Sequence, residues 1–140
     1  MEWYRLKLMG LKNSKIRALM GCNKRYKDIF ADLDKLTNML NLTTDDTRLI
    51  ENSKYCEKYL EVMDYLERNR IGLISINDYR YPDSLKNIAK PPLFLFYKGN
   101  IELLSKNKMI SIVGTRRSTK YGELCCERAV KDLVDGEVVI

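Results

Sequence analysis

The first 70 residues of this chain contain no proline and only two glycines, Gly10 and Gly21. Apolar residues in this segment recur at spacings of three and four, which is the period of one face of an α-helix. With so few residues that break helices, the segment is predicted to fold as consecutive α-helices joined by short turns. The predicted helices span residues 2–9, 13–20, 24–30 and 32–40, and a longer one begins at Thr43 or Thr44.

Residues 1–70 are therefore predicted to form an α-helical domain. The last helix begins at a run of two threonines and two aspartates, residue types that satisfy free amide groups at a helix N-terminus. Its inner face is predicted to carry Ile50, Leu60, Met63 and Leu66.

The pattern changes near residue 71, where we place a domain boundary. Short β-branched or apolar runs follow at residues 71–76, 93–97 and 109–113, and the second of them is predicted to be a buried strand. Residues 101–104 are predicted to form one helical turn. A polar loop led by Gly114, a helix over residues 121–134 and a strand at 138–140 complete the order. Strand, loop, helix and strand in succession form a βαβ unit, so residues 71–140 are predicted to begin a Rossmann-like parallel sheet, and the fold class is α/β.

Composition excludes several classes of site. The chain has no histidine, so it lacks the usual general base at neutral pH and the commonest metal ligand. Its four cysteines include no C-x-x-C pair, which makes a metal site improbable, and we expect them to be reduced packing residues. No carboxylate pair stands out as an acid and a base. We therefore expect no enzyme activity, no metal and no cofactor.

No apolar run approaches the length that spans a bilayer, and the first residues lack the apolar core of a signal peptide. We therefore expect a cytoplasmic protein with no membrane partner. The net charge is +6, shared equally between the two halves of the chain, so an acidic partner would need a local cluster of cations.

The loop over residues 114–120 is such a cluster. It leaves the end of a predicted strand and opens a predicted helix, a place where several backbone amides point at one phosphate-sized site. Gly114 would let a ligand approach the backbone, and Arg116 or Arg117 could bind a phosphate through two hydrogen bonds. Ser118 and Thr119 offer hydroxyl groups as donors, and Lys120 adds a point charge. The loop fits neither dinucleotide-binding nor P-loop spacing. The alternative interpretation is a solvated helix N-cap, Ser118 or Thr119, flanked by ordinary surface cations.

Two weaker signals lie in the helical half. Met9-Gly10-Leu11 has the form of a helix-hairpin-helix turn, although a glycine that simply ends a helix is the more frequent reason for this pattern. Tyr4, Tyr26 and Tyr55 could stack on bases, yet tyrosines at helical spacing are more often half-buried in a core.

The second half resembles the DprA/Smf family, bacterial DNA-processing proteins of natural transformation. The resemblance rests on residues in the family's order and spacing: Tyr81-Pro82, Leu85, Ile88, Pro91-Pro92, Leu95, Gly99-Asn100, Ile112-Val113-Gly114-Thr115-Arg116 and Tyr121-Gly122. Residues 1–70 also resemble the family's SAM-like or helix-hairpin-helix domain, with few diagnostic positions.

This resemblance implies a Rossmann-like domain that binds and protects single-stranded DNA and helps to load the RecA recombinase. It also implies dimerisation. By the family's motif, Gly114, Thr115 and Arg116 would supply part of a pocket for DNA phosphates, and Arg117, Ser118 and Thr119 would join by adjacency. Arg116 is the residue on which we expect binding to depend most.

The chain departs from the family pattern after residue 138. The family continues there into a Ser-Gly-x-Ala-x-Gly-Ile-Asp motif, whereas this chain stops at Ile140, so it reads as a fragment or one piece of a split protein. We expect residues 1–70 to fold alone and the remainder to be loosely packed.

Two other functions remain open. One is a nucleotide-handling enzyme of the phosphoribohydrolase type, although its Pro-Gly-Gly-x-Gly-Thr signature is missing from these 140 residues. The other is a helical partner-binding module with a vestigial tail.

Overall fold

The computed structural model describes residues 1–22, 24–106, 108–136 and 138–140. It divides into two compact units, Met1–Gly99 and Asn100–Ile140. The described residues combine α-helices with a small sheet, which agrees with the α/β class at that level.

The first unit begins with five α-helices, in the order that the apolar spacing predicts. They are α1 (Tyr4–Leu8), α2 (Asn13–Gly21), α3 (Leu33–Leu40), α4 (Thr44–Asn52) and α5 (Glu57–Arg68), with 3₁₀ turns at Tyr26–Phe30 and Ser53–Tyr55. The long last helix of the sequence analysis is thus two helices. Its break has a local cause, since Ser53 bonds back to the Ile50 carbonyl and Cys56 leaves the helical region at ψ 90°.

Gly10 ends α1 in a left-handed conformation, with φ of 88°. The Gly10 amide donates to the Lys7 carbonyl at 3.1 Å, and the Leu11 amide donates to the Leu6 carbonyl at 3.0 Å. Both amides therefore cap α1, as in a glycine-terminated helix, and neither is free for a phosphate. The helix-hairpin-helix interpretation of Met9-Gly10-Leu11 loses its two donors.

The sheet of the first unit consists of two antiparallel strands. Strand β1 (Ile71–Ser75) pairs with β2 (Phe94–Lys98), and Gly72 lies opposite Tyr97. The Tyr97 ring occupies the space above Gly72, because a Cβ added at Gly72 would lie 2.1 Å from the Tyr97 Cζ. The short helix α6 (Asp83–Lys86) lies in the connection between the strands.

The pairing of β1 with β2 is antiparallel, whereas the parallel pairing was predicted for residues 109–113 and 138–140. The prediction of a buried second strand is corrected. Strand β2 is not fully buried: Leu93, just before it, is 2% exposed, but Phe96 within it is 50% exposed. Phe96 lies on the same face of the strand as Phe94 and packs edge-on against Tyr4 at 5.6 Å, but this one contact leaves half of its surface open.

The core of the first unit joins the helices to the residues after 71. Leu93 belongs to the same cluster of buried side chains as Leu6, Ile16 and Ile29, and Ile74 of β1 is fully buried. The expectation of loose packing beyond residue 70 is therefore wrong for residues 71–99. The assignment of residues 1–70 and 71–140 to separate domains stays a prediction.

The second unit contains a 3₁₀ turn at Ile101–Ser105 and the helix α7 (Lys120–Asp135). The strands predicted at 109–113 and 138–140 are reduced to one parallel bridge, Met109 to Val139. None of the described residues of α7 is buried, and its Leu124 is 64% exposed. The predicted order of strand, loop, helix and strand is thus present only in outline. Among the described residues, no further strand or helix buries the apolar side chains of α7.

Candidate nucleic-acid interface

The predicted site residues lie together on the surface of the second unit. Residues 114–119 form the loop between the Met109 bridge and α7, and Lys120 is the first residue of that helix. All seven predicted residues are exposed: Gly114, Thr115, Arg116, Arg117, Ser118, Thr119 and Lys120. The loop is thus accessible to a large ligand.

Thr119 is the N-cap of α7, as the sequence analysis allowed for Ser118 or Thr119. Its Oγ1 accepts a hydrogen bond from the Gly122 amide at 3.1 Å, and its carbonyl accepts from Glu123 at 3.0 Å. The first two amides of the helix, those of Lys120 and Tyr121, have no acceptor within a helix. These amides and the helix dipole favour an anion at this end.

The other two hydroxyls of the loop are engaged inside the protein. Thr115 Oγ1 donates to the Arg117 carbonyl at 2.6 Å, and Ser118 Oγ donates to Glu123 Oε1 at 2.5 Å. A hydroxyl has one proton to donate, so neither is a free donor for a phosphate. Both hydroxyls therefore bond within the protein, and the DNA contact predicted for Thr115 and Ser118 stays a prediction.

The three cations of the loop are the groups left to meet an anion. Six ion pairs form within the parts of the chain that the structure describes, and none of them involves Arg116, Arg117 or Lys120. The first turn of the helix also carries an opposing charge, the Glu123 carboxylate, which accepts the Ser118 hydrogen bond. A bound phosphate would therefore be attracted by three cations and repelled by one carboxylate.

Gly114 has no steric need to be glycine in this fold. A Cβ at this position would meet no atom within 4 Å. The missing side chain leaves open space beside the backbone, which is what close approach of a ligand would require.

The three tyrosines proposed for stacking differ in how much of their side chain is exposed to solvent. Tyr26 is buried, and Tyr4 packs edge-on against Phe94 at 5.2 Å, so both serve the core. Tyr55 is 81% exposed. The sequence analysis missed Tyr79, which is 88% exposed, although its place between charged residues in a proline-containing turn region could have revealed it.

The four cysteines are free thiols. Cys56 is buried, whereas Cys125 and Cys126 are exposed on α7, so the prediction that they are packing residues is wrong for these two. Among the described residues, no three side chains that could hold a metal ion come together. The helices in the described ranges include none that is long and apolar enough to cross a membrane.

Comparison with known proteins finds similarity to DNA-processing proteins. Residues 72–140 match the family described as DNA recombination-mediator protein A. The DNA processing protein DprA of Bacillus subtilis (strain 168) is 37% identical over 83 residues, which cover 59% of this chain and 28% of that protein. The DNA processing protein DprA of Streptococcus pneumoniae (strain ATCC BAA-255 / R6) is 30% identical over 144 positions, which cover 99% of this chain and 47% of that protein. This chain therefore spans at most about half the length of these two relatives. No solved structure matches it significantly.

Proposed function

This chain belongs to the DprA family of DNA-processing proteins, and from that premise we propose that it binds single-stranded DNA through the loop before α7. The observation that carries the proposal is the set of three exposed cations, Arg116, Arg117 and Lys120, at the capped N-terminus of that helix. None of them is held by a carboxylate within the described residues.

Phosphates are the groups that this arrangement suits. Arginine binds a phosphate oxygen pair through two parallel hydrogen bonds, while the Lys120 ammonium adds a point charge. The amides of Lys120 and Tyr121 supply further donors. Phosphate contacts do not read base identity, so binding would be independent of sequence.

The wider proposal follows the family. We infer a binding protein and not an enzyme, located in the cytoplasm, that protects single-stranded DNA and assists RecA loading in recombination or transformation, with a dimer as its working form. We also assign residues 1–70 to a SAM-like domain and residues 71–140 to the beginning of a Rossmann-like domain. The helical content of the first segment and the parallel bridge beside α7 support these assignments.

Fluorescence anisotropy of a labelled single-stranded oligonucleotide tests the DNA contact. If the three cations all touch phosphates, the plot of log affinity against log salt should have a slope of about −2, from about −0.7 per contact. Arg116→Ala should weaken binding and reduce the slope by about 0.7. Glu123→Gln should strengthen binding, because it removes the carboxylate beside the phosphate site.

Arg128→Ala is the matched control, since it removes an exposed cation from the interior of the same helix. It should cost less affinity than Arg116→Ala. Equal losses in the two variants, or a slope unchanged by Arg116→Ala, would contradict a specific role for the loop.

A further inference from the structure

The turn after β1 in the first unit presents an aromatic side chain to solvent. Tyr79 is 88% exposed, the highest value among the exposed large hydrophobic side chains described between residues 1 and 99. It stands between Asp78 and Arg80, in a region whose other tyrosine, Tyr81, is 2% exposed. The side chain of Tyr79 is therefore exposed although the turn around it is packed against the protein.

Hydrogen bonds hold the backbone on both sides of Tyr79. The Asp78 amide donates to the Ser75 carbonyl at 2.9 Å, and the Tyr81 amide donates to the Asp78 carbonyl at 3.0 Å. The buried Tyr81 hydroxyl donates to the Pro92 carbonyl at 2.7 Å, which ties the turn to the segment before β2. Because the turn is already ordered, a ligand on the Tyr79 ring would not have to pay for ordering the backbone.

Arg80 is held beside the Tyr79 ring. Its Nε and Nη2 each donate to the Asp78 carboxylate at 2.9 Å, and its amide donates to Asp78 Oδ1 at 3.0 Å. In this position the guanidinium carbon is 5.5 Å from the centroid of the Tyr79 ring. An exposed ring with an arginine beside it is the combination on which unpaired bases stack in single-strand binders.

A second cation bonds to the segment that also accepts from the Tyr81 hydroxyl. The Arg17 guanidinium donates to the Pro91 carbonyl at 2.7 Å, next to the Pro92 carbonyl that accepts from Tyr81. Arg17 is exposed and forms no ion pair among the described residues. Arg80 is neutralised by Asp78, so Arg17 is the charge here that would attract a polyanion.

Tyr55 shows that exposure alone does not make this arrangement. It is 81% exposed, but the neighbouring Lys54 lies over the Phe30 ring at 4.3 Å and is directed to a different aromatic group. Within the described residues, no cation lies over the Tyr55 ring as Arg80 lies over that of Tyr79.

We propose that Tyr79 stacks on an unpaired base of single-stranded DNA and forms a contact on the first unit that is additional to the phosphate loop of the second. This inference rests on the proposed function, since it needs a bound single strand. Stacking is tolerant of base identity, which agrees with binding that does not depend on sequence.

The test compares an oligothymidylate with an abasic oligomer of equal length, each bound to the full chain. Tyr79→Ala should weaken binding to the oligothymidylate by about 5-fold or more, which corresponds to the lower end of the loss per stacked base. Binding to the abasic oligomer should be unchanged, because its phosphates remain and its bases do not. Tyr79→Phe should retain the wild-type affinity, and Tyr79→Leu should lose it as the alanine variant does.

Tyr55→Ala is the matched control and should bind both oligomers like the wild type. An oligothymidylate that carries iodouracil should also crosslink to Tyr79 in the wild type, as located by mass spectrometry. The melting temperatures of the variants should match the wild type, since the Tyr79 side chain touches little of the protein. If one variant has a lower melting temperature, the comparison between Tyr79→Phe and Tyr79→Leu still shows whether binding needs an aromatic ring or only a large apolar side chain.

Three outcomes would overturn the stacking contact. If Tyr79→Ala binds oligothymidylate normally while Arg116→Ala does not, the proposed function stands and the stacking is wrong. If Tyr79→Ala loses affinity equally for the abasic oligomer, its effect is not stacking. If the wild type binds neither oligomer, the proposed function fails and the stacking fails with it.

Discussion

At the scale of single residues, a buried polar contact joins Ser53 to Tyr26. Ser53 is fully buried, and its Oγ donates to the Ile50 carbonyl at 2.5 Å. That bond uses its only proton, so the Tyr26 hydroxyl, 2.7 Å away, must be the donor of the second bond. Burial raises the pKa of Tyr26, which keeps the phenol protonated as this role requires.

Ser53→Ala should lower the free energy of unfolding by about 1–3 kcal/mol, because the buried Tyr26 hydroxyl loses its acceptor. Urea denaturation measures the change. Adding Tyr26→Phe to Ser53→Ala should cost less than the sum of the two single changes, since the unsatisfied hydroxyl is then gone. A single change of less than about 0.5 kcal/mol would argue against this bond.

At the scale of elements, α4 begins with reciprocal hydrogen bonds. The Asp46 amide donates to Thr43 Oγ1 at 3.1 Å, and the Thr43 amide donates to Asp46 Oδ2 at 2.9 Å. The bond from the Thr43 amide is the largest cause that lowers the pKa of Asp46, and Lys15 at 4.0 Å adds to it. The run of threonines and aspartates thus caps this helix as the sequence predicts.

The stabilisation by Asp46 should depend on pH with a definite sign. Because its pKa in the folded protein is below the ordinary value of 3.8, its contribution is present above that value and is lost as the pH falls through the folded pKa. Asp46→Asn should therefore be less stable than the wild type at neutral pH, and the difference should shrink in acid. Urea denaturation across pH measures both.

Asp45→Asn is the control for the Asp46 experiment, since Asp45 lies in the same turn but outside the reciprocal pair. It should show a smaller difference at neutral pH. A gap between Asp46→Asn and the wild type that stays constant down to strong acid would show that the carboxylate charge is not what stabilises α4.

At the scale of the whole molecule, the two units differ in how much they bury. The first unit has a continuous core that includes Leu6, Ile16, Ile29 and Leu93. In the second unit, only Ile101 is buried among the described hydrophobic residues, and Val113 is 93% exposed. Apolar burial is the main source of folding stability, so the units should differ in how readily their backbones open.

Hydrogen exchange measured by mass spectrometry should report this difference. Peptides from α2, β1 and the segment around Leu93 should exchange slowly, and peptides from α7 should exchange quickly despite their helical hydrogen bonds. Protection of residues 109–140 as strong as that of α2 would contradict this expectation.

The sequence alone determined the local elements, because their signals are local. Thr43 and Asp46 cap a helix from within one turn, Gly10 ends one through its own backbone freedom, and the apolar spacing sets which residues are helical. The cluster of cations from Arg116 to Lys120, and its place at the start of a helix, could also be predicted from the order of residues.

Only the tertiary structure decided which groups are covered and which are occupied. The two strands pack on the helices because Leu93 joins the buried cluster of the helices and Phe94 packs against it, a contact between residues distant in the chain. Tyr97 lies over Gly72 because the strand register places them opposite each other. Ser118 is engaged by Glu123, and Tyr79 is left exposed while Tyr81 is buried, because those outcomes depend on side-chain positions in space that no periodicity of the sequence encodes.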